Sequence, residues 1–394
     1  MTRVLFLAHT AAPSGAELAT LRLVSALRDL RLVDPTMIYT EDGPMVERMR
    51  ARGIETRVLH GDFDSRAMTI GSGPLRLLAG FVALLGMGWA LGAVARDSRA
   101  EVVVAESTKA LAMGAVAARR ARIPLVWQVH DRVAVEYFGR LPTLVIRLLG
   151  RLAAHGYLAN SRATLATLRT GRGPAVVAYP GVELGDHPAG RAEQRHPDHT
   201  VIAAVGRLSP WKGQDLLLRA IADTKVRPHR ILLIGGTFFD EEPYRAELLR
   251  LASELALPVT FTGHVDDPDT YLRDADILVH CSVLPEPFGQ VVVEGMHAGC
   301  AVIASGPGGP TEIVDPDING LLVRGGDRAE LTAALDTLIG DPCLRTRLAD
   351  AGRTRAADFD ITVTARVVGD FLHELVRTTR TAGQRGPRER APHA

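Results

Sequence analysis

At 394 residues the chain is longer than one hydrophobic core usually supports, so two domains of similar size are expected. Forty-six basic side chains against forty-five acidic ones leave a formal charge of +1, which gives no footing for nucleic acid as a partner. A content of 46% hydrophobic and 23% charged residues excludes a disordered chain.

The N-terminus opens on a short apolar run, without the charged segment, long apolar region and cleavage site of a secretory signal. The three cysteines, Cys281, Cys300 and Cys343, follow no metal-ligand spacing, and two sit in apolar runs. Core thiols in a reducing, cytoplasmic compartment are therefore expected, with no disulfide. Residues 4–8 read as a buried strand, Pro13, Ser14 and Gly15 as a loop, and residues 16–30 as a helix. The loop lacks the three-glycine dinucleotide fingerprint, which disfavours a nicotinamide dehydrogenase, but Gly15 at a helix start can offer its backbone N–H to a phosphate.

Strands at 36–39, 56–59, 102–105, 125–129, 156–159 and 176–179, with helical segments between most of them, predict a parallel sheet covered by helices. Residues 77–95 carry no charge between Arg76 and Arg96, and as a helix they would span roughly 28 Å, close to a bilayer core. A spanning helix would separate Gly15 from the later motifs, so a buried or surface-docked crossover is expected instead. His130 and Asp131 follow the 125–129 strand directly, at the carboxyl end where open α/β sheets make ligand contacts. Residues 140–155 intersperse Arg140, Arg147 and Arg151 among Leu, Val and Ile, a pattern that suits an anionic membrane surface or a solvated helix face. Composition then shifts to Gly, Pro, His and charge, which places a linker at 185–199 between domains 1–184 and 200–357.

The second unit repeats the alternation, with strands at 201–205, 231–234, 259–261, 277–281, 301–304 and 320–323, and a helix at 358–378 precedes a polar, disordered tail at 379–394. The fold class is α/β with two parallel-sheet domains. Two stretches carry the chemistry. Gly206-Arg207-Leu208-Ser209-Pro210-Trp211-Lys212-Gly213 stands at the carboxyl end of a strand, where the Arg207 fork and the Lys212 point charge suit a diphosphate. Both cations are expected in an exposed loop and so to contribute little to stability. In the second stretch, Pro285 and Pro287 hold Glu286 on an extended backbone, Gly289 permits close approach of a ligand, and Gln290 to Ala298 read as a short helix with Glu294 one turn inside it. Two carboxylates with backbone N–H donors between them suit a polyol attached to an anion; the plain alternative is a solvated loop with a surface Glu. Asp274-Ala275-Asp276 has the spacing of a metal-binding pair but precedes a buried strand, so no metal is expected.

Glu286 and Glu294, with seven residues between them and the Glu-Pro-Phe-Gly core intact, resemble the signature of the retaining glycosyltransferases of family 4. The resemblance extends to the 206–213 segment with Asp215, to Asn319-Gly320-Leu321-Leu322-Val323, and to Ser14-Gly15-Ala16-Glu17, where members commonly carry a glycine in place of Ser14. Ala301 departs from a proline common there. The resemblance implies a GT-B fold, two Rossmann-like domains facing each other across a cleft, and front-face transfer of a sugar from a nucleotide-diphosphate sugar to an acceptor hydroxyl. By the same resemblance Arg207 and Lys212 neutralise the departing diphosphate, Glu294 takes the ribose hydroxyls and Glu286 the sugar hydroxyls. Gly15 would meet a phosphate and His130 the sugar, while Gly236, Val265, Phe288, Gly289 and Gln290 would line the nucleotide cleft. No cofactor is expected beyond the donor itself. The expected acceptor is a lipid-linked or cell-envelope glycan, with peripheral binding to the anionic inner face of a membrane. A nucleotide-sugar epimerase, a glycogen-type phosphorylase and a catalytically silent sugar-nucleotide scaffold are the competing readings.

Overall fold

Runs of Val, Ile, Leu and Ala that are buried on both faces build two sheets, each wholly parallel, as expected when crossover helices cover both sides. The computed structural model describes residues 1–60, 74–171, 173–185, 199–238 and 241–384. In the first sheet β1 (Thr2–Ala8), β2 (Val33–Tyr39), β3 (Glu55–Val58), β4 (Val102–Ala105), β5 (Leu125–Val129), β6 (Gly156–Ala159) and β7 (Ala175–Val177) are ordered β3-β2-β1-β4-β5-β6-β7. Alternation along β1 divides its side chains between two cores. Val4 and Phe6 pack under the helices Gly15–Asp29, Pro44–Ala51 and Ile361–Gln384, whereas Leu5 and Leu7 pack under Pro74–Asp97, Thr108–Ala121 and Arg140–Ala153. β2 starts earlier than expected and includes Pro35; the missing N–H is tolerated because pairing with β3 begins only at Thr36.

The second sheet holds β8 (Val201–Val205), β9 (Arg230–Ile234), β10 (Val259–Gly263), β11 (Ile277–His280), β12 (Ala301–Gly306) and β13 (Leu321–Arg324), ordered β10-β9-β8-β11-β12-β13. The Gln290–Ala298 helix lies close on β11, where a Cβ added at Gly295 would come within 2.2 Å of Leu278 Cδ2.

The chain divides into two compact units, one formed by Met1–Gly181 with the segment from Ile361, the other by Val182–Asp360. The final helix therefore belongs with the first sheet: Val368 and Leu372 are buried in its core, and Thr364 Oγ1 donates to the Tyr179 carbonyl at 2.8 Å. It runs Ile361–Gln384, so the opening residues of the expected 379–394 tail are helical. Most of the expected linker, residues 186–198, lies outside the described residues. The uncharged 77–95 segment falls in the Pro74–Asp97 helix, which buries Leu84, Met87 and Leu91. It packs tightly on its neighbour, because a Cβ at Gly88 would sit 2.6 Å from the Met113 carbonyl oxygen. Among the described residues, no helix is long and apolar enough to cross a membrane.

Candidate functional site

The strand order of the second sheet reverses between β8 and β11, and at such a switch point the loops leaving the carboxyl ends diverge and open a crevice. The 206–213 segment leaves β8 there, and the loop carrying Glu286 leaves β11. Gly213, at φ +71°, brings the two together: a Cβ would lie 2.3 Å from the Cys281 carbonyl oxygen. Lys212 Nζ consequently donates to both carboxylate oxygens of Glu286, at 3.0 and 2.9 Å, while lying 4.3 Å from the centre of the Trp211 ring. Ser282 Oγ donates to Glu286 Oε2 at 2.9 Å, and His280 Nε2 stands 3.4 Å from the same oxygen. From below, Gly309 N–H donates to the Glu286 carbonyl at 2.9 Å, and Gly308, at φ +139°, packs where any side chain would strike the Glu286 backbone. Burial works to raise the Glu286 carboxyl, but the Lys212 charge and the hydrogen bonds from His280 and Lys212 outweigh it and hold the group well below the usual carboxylate range. The same burial pushes the Cys281 thiol up to about 12.

A second polar cluster lies in the first unit, at the carboxyl ends of β1, β4 and β5 on either side of that sheet's own switch point. Glu106, directly after β4, accepts from Thr20 Oγ1 at 2.7 Å and pairs with His130 Nε2 at 3.0 Å through Oε2. Its Oε1 is buried without a partner among the described residues. Asn160 Nδ2 fixes the His130 backbone by donating to its carbonyl at 2.6 Å. Burial alone would lower the His130 imidazole, but the Glu106 hydrogen bond and charge, with Glu17 and Asp131 nearby, raise it above its ordinary value. His9, bonded to Ser107 Oγ at 2.9 Å, is instead pushed down to about 4 by burial and Lys109.

A family model described as "Glycosyl transferases group 1" matches residues 188–355, and one described as "Glycosyltransferase Family 4" matches residues 13–186. Over 289 residues the chain is 30% identical to the D-inositol 3-phosphate glycosyltransferase of Frankia alni, which covers 66% of this chain and 70% of that enzyme. The chain belongs to the family 4 glycosyltransferases. The enzyme of the same name from Nocardia farcinica is 32% identical over 272 residues, 62% of this chain and 60% of that one, so the chain spans less than two thirds of that relative's length. Anabaena HepE, solved in complex with UDP-glucose, is 28% identical with a TM-score of 0.80 over 95% of this chain and 100% of that chain. The chain thus has the GT-B fold of this family, and one structural relative, HepE, holds UDP-glucose.

Within this family 4 chain the structure brings Lys212 and Glu286 into direct contact but sends Arg207 elsewhere: its Nε pairs with Glu241 Oε1 at 3.3 Å. The expectation that Lys212 stands in an exposed loop is corrected, since its side chain is only 15% exposed and that of Glu286 13%. Phe288 is 2% exposed with its ring against Phe359, so the side chain is core and only its backbone faces the loop. Gly289, at φ +96°, caps the helix that Gln290 opens, and Glu294 is half-buried on it. Gly236 accepts from Leu208 N–H at 2.9 Å and packs against His264, next to half-buried Val265. Gly15 is the first residue of its helix, behind Ser14, whose hydroxyl bonds Glu17. Asp276 of the Asp-x-Asp spacing accepts from Val201 N–H at 2.7 Å and so tethers β8, and among the described residues no cluster of metal-ligand type is formed. Sequence reasoning missed His280, Ser282, Ser305 and Glu106. Each lies in the last two residues of a strand or just beyond its carboxyl end, but a lone His, Ser or Glu there carries no spacing signal.

Proposed function

We propose that the chain transfers a sugar from a nucleotide-diphosphate donor to an acceptor hydroxyl with retention and without a metal ion. The observation that carries this reading is the Lys212–Glu286 pair at the switch point of the second sheet. Bond cleavage leaves negative charge on the diphosphate, and a fixed, half-desolvated ammonium stabilises that charge more than water does. The neighbouring carboxylate, held by Ser282 and His280, is oriented to accept hydrogen bonds from sugar hydroxyls. Arg207, by the same loop, supplies a second cation once it leaves Glu241, and Glu294 on its helix is the candidate for the ribose hydroxyls. Incubation with labelled sugar nucleotides and a membrane extract tests the reading, with Lys212→Ala expected to lose transfer about 100-fold. Near-normal turnover in that variant would overturn it.

The proposed acceptor is a lipid-linked or cell-envelope glycan met at an anionic membrane surface from the cytoplasmic side. The Arg140–Ala153 helix supports this, because Leu141, Leu144, Val145, Leu148 and Leu152 stand exposed along one stripe, Leu141 by 70% and Leu152 by 76%, with Arg140 and Arg151 exposed and no acid on the helix. The inner side of that helix holds to the fold through Ile146 and through Arg147, which donates to the Val133 carbonyl at 2.7 Å. Vesicle flotation at low salt tests it: Leu144→Glu with Leu148→Glu is expected to abolish binding, and failure of the unmodified protein to float with anionic vesicles would refute it. The names of the Frankia and Nocardia relatives make a polyol phosphate the second acceptor to assay.

A further inference from the structure

We infer that His280 is a positioning residue that keeps Glu286 turned toward the donor sugar when the diphosphate draws Lys212 away, an inference that rests on the donor-site reading above. His280 closes β11 at the switch point and its side chain is 2% exposed. On one side of the ring, Ser305 of β12 directs its backbone N–H at Nδ1 from 3.4 Å, and its hydroxyl oxygen lies 3.2 Å from the same nitrogen. Ser282 Oγ commits its proton to Glu286 Oε2, so Nε2, which faces both of those oxygens, is assigned the ring proton, and Nδ1 is left to accept from the Ser305 N–H. The Ser305 hydroxyl is itself anchored, donating to the Ser282 carbonyl at 2.8 Å.

The protonated Nε2 faces Ser282 Oγ at 3.2 Å and Glu286 Oε2 at 3.4 Å, while Ser282 Oγ donates to Oε2 at 2.9 Å. The 3.4 Å contact is long for a hydrogen bond, so the ring acts through Ser282 as well as directly. Oε2 is thus tied to the end of β11, and through Ser305 to β12. Oε1 has Lys212 as its partner among the described residues. An arriving diphosphate competes for that ammonium, and a sugar hydroxyl can then donate to Oε1 without the carboxylate having to turn. His280 and Ser282 continue to satisfy Oε2 throughout. Loss of His280 therefore falls on recognition of the sugar and spares the diphosphate, which His280 does not touch in this scheme.

The experiment measures binding of matched pairs, UDP with UDP-glucose, GDP with GDP-mannose and ADP with ADP-glucose, by calorimetry on the full chain. The unmodified protein identifies the pair in use; if it binds none, the donor-site reading falls and this inference with it. For that pair, His280→Ala is expected to weaken the sugar nucleotide about tenfold while the free diphosphate stays within about twofold, and His280→Gln, which keeps a donor near Nε2, recovers most of the loss. Equal weakening of both ligands, or no weakening of either, overturns the positioning role and leaves the donor-site reading standing. Should His280→Ala fail to fold, Ser282→Ala is expected to give the same selective loss at about threefold, and equal weakening there has the same adverse meaning.

Discussion

Replacing Lys212 by methionine keeps most of the stem and removes the charge, leaving Glu286 ionised in a site where its side chain is 13% exposed. Removing one partner of a buried ion pair typically costs about 3–5 kcal/mol. Ser282 and His280 still donate to Oε2, which places this case at the low end, about 3 kcal/mol. For a unit the size of Val182–Asp360 that corresponds to a melting temperature lower by about 6–12 °C. The pH dependence gives the sharper test. In the unmodified protein the Glu286 carboxyl lies well below the ordinary range, so its contribution is present above the unfolded value and is lost only as pH falls through the folded one. In the variant the Lys212 charge is gone and burial pushes the same carboxyl upward. Its destabilising effect is then present above the carboxylate range and fades as acid protonates it. The gap between the two melting curves is expected to narrow from about pH 8 to about pH 4.5, and Lys212→Met combined with Glu286→Gln should recover much of the loss at the higher pH. A gap that stays constant with pH, or a double variant no better than the single one, would refute the claim that an unpaired carboxylate is the cause.

Arg207→Ala is expected to lower transfer about 100-fold with little change in melting temperature, because its side chain is 34% exposed and its pairing with Glu241 is peripheral; a large melting shift would contradict this. Proton NMR titration should place His130 above the ordinary imidazole value, so that its contribution to stability is present at low pH and is lost as pH rises through the folded value. In Glu106→Gln, burial should carry it below the ordinary value, and an unchanged titration would show that Glu106 does not set it. Gly309→Ala forces a methyl to within 2.2 Å of Phe288 Cα and is expected to cost about 1–3 kcal/mol and most of the activity, since the same turn holds Glu286; full activity would mean the turn is not what fixes the carboxylate. Excess chelator is expected to leave transfer intact, and strict dependence on Mg²⁺ would revive a metal role for the Asp274–Asp276 pair.

Among the described residues the central strands β4, β5, β6, β8, β11 and β12 coincide with short, mainly apolar runs because they are buried on both faces, whereas the edge strand β3 reads Glu-Thr-Arg-Val and is only half-buried. The Gly206–Gly213 and Glu286–Glu294 stretches were equally legible, since their glycines and prolines report backbone geometry directly. Partnership was not. Lys212 and Glu286 are far apart in the chain, and only the β8–β11 adjacency, a matter of strand order, brings them into contact. Phe288 shows the converse: it belongs to the motif but owes its place to Phe359, a packing partner that no local pattern could indicate. The start of β2 was misplaced because Pro35 reads as a strand breaker until the register of β3 is known.

The first unit is made of both the earliest and the last described parts of the chain, and this gives its synthesis an order. Residues of the first sheet leave the ribosome early, yet one face of their core, around Val24 and Leu27, is closed by Val368 and Leu372 of the Ile361–Gln384 helix. The Val182–Asp360 unit is continuous, and its two ends are fastened together where Val182 N–H donates to the Phe359 carbonyl at 3.0 Å. It can therefore mature while its predecessor in the chain still waits with an apolar face in water. A nascent chain halted before Ile361 would hold a protease-resistant second unit and a first unit that recruits chaperones, and release of the final helix would end that recruitment.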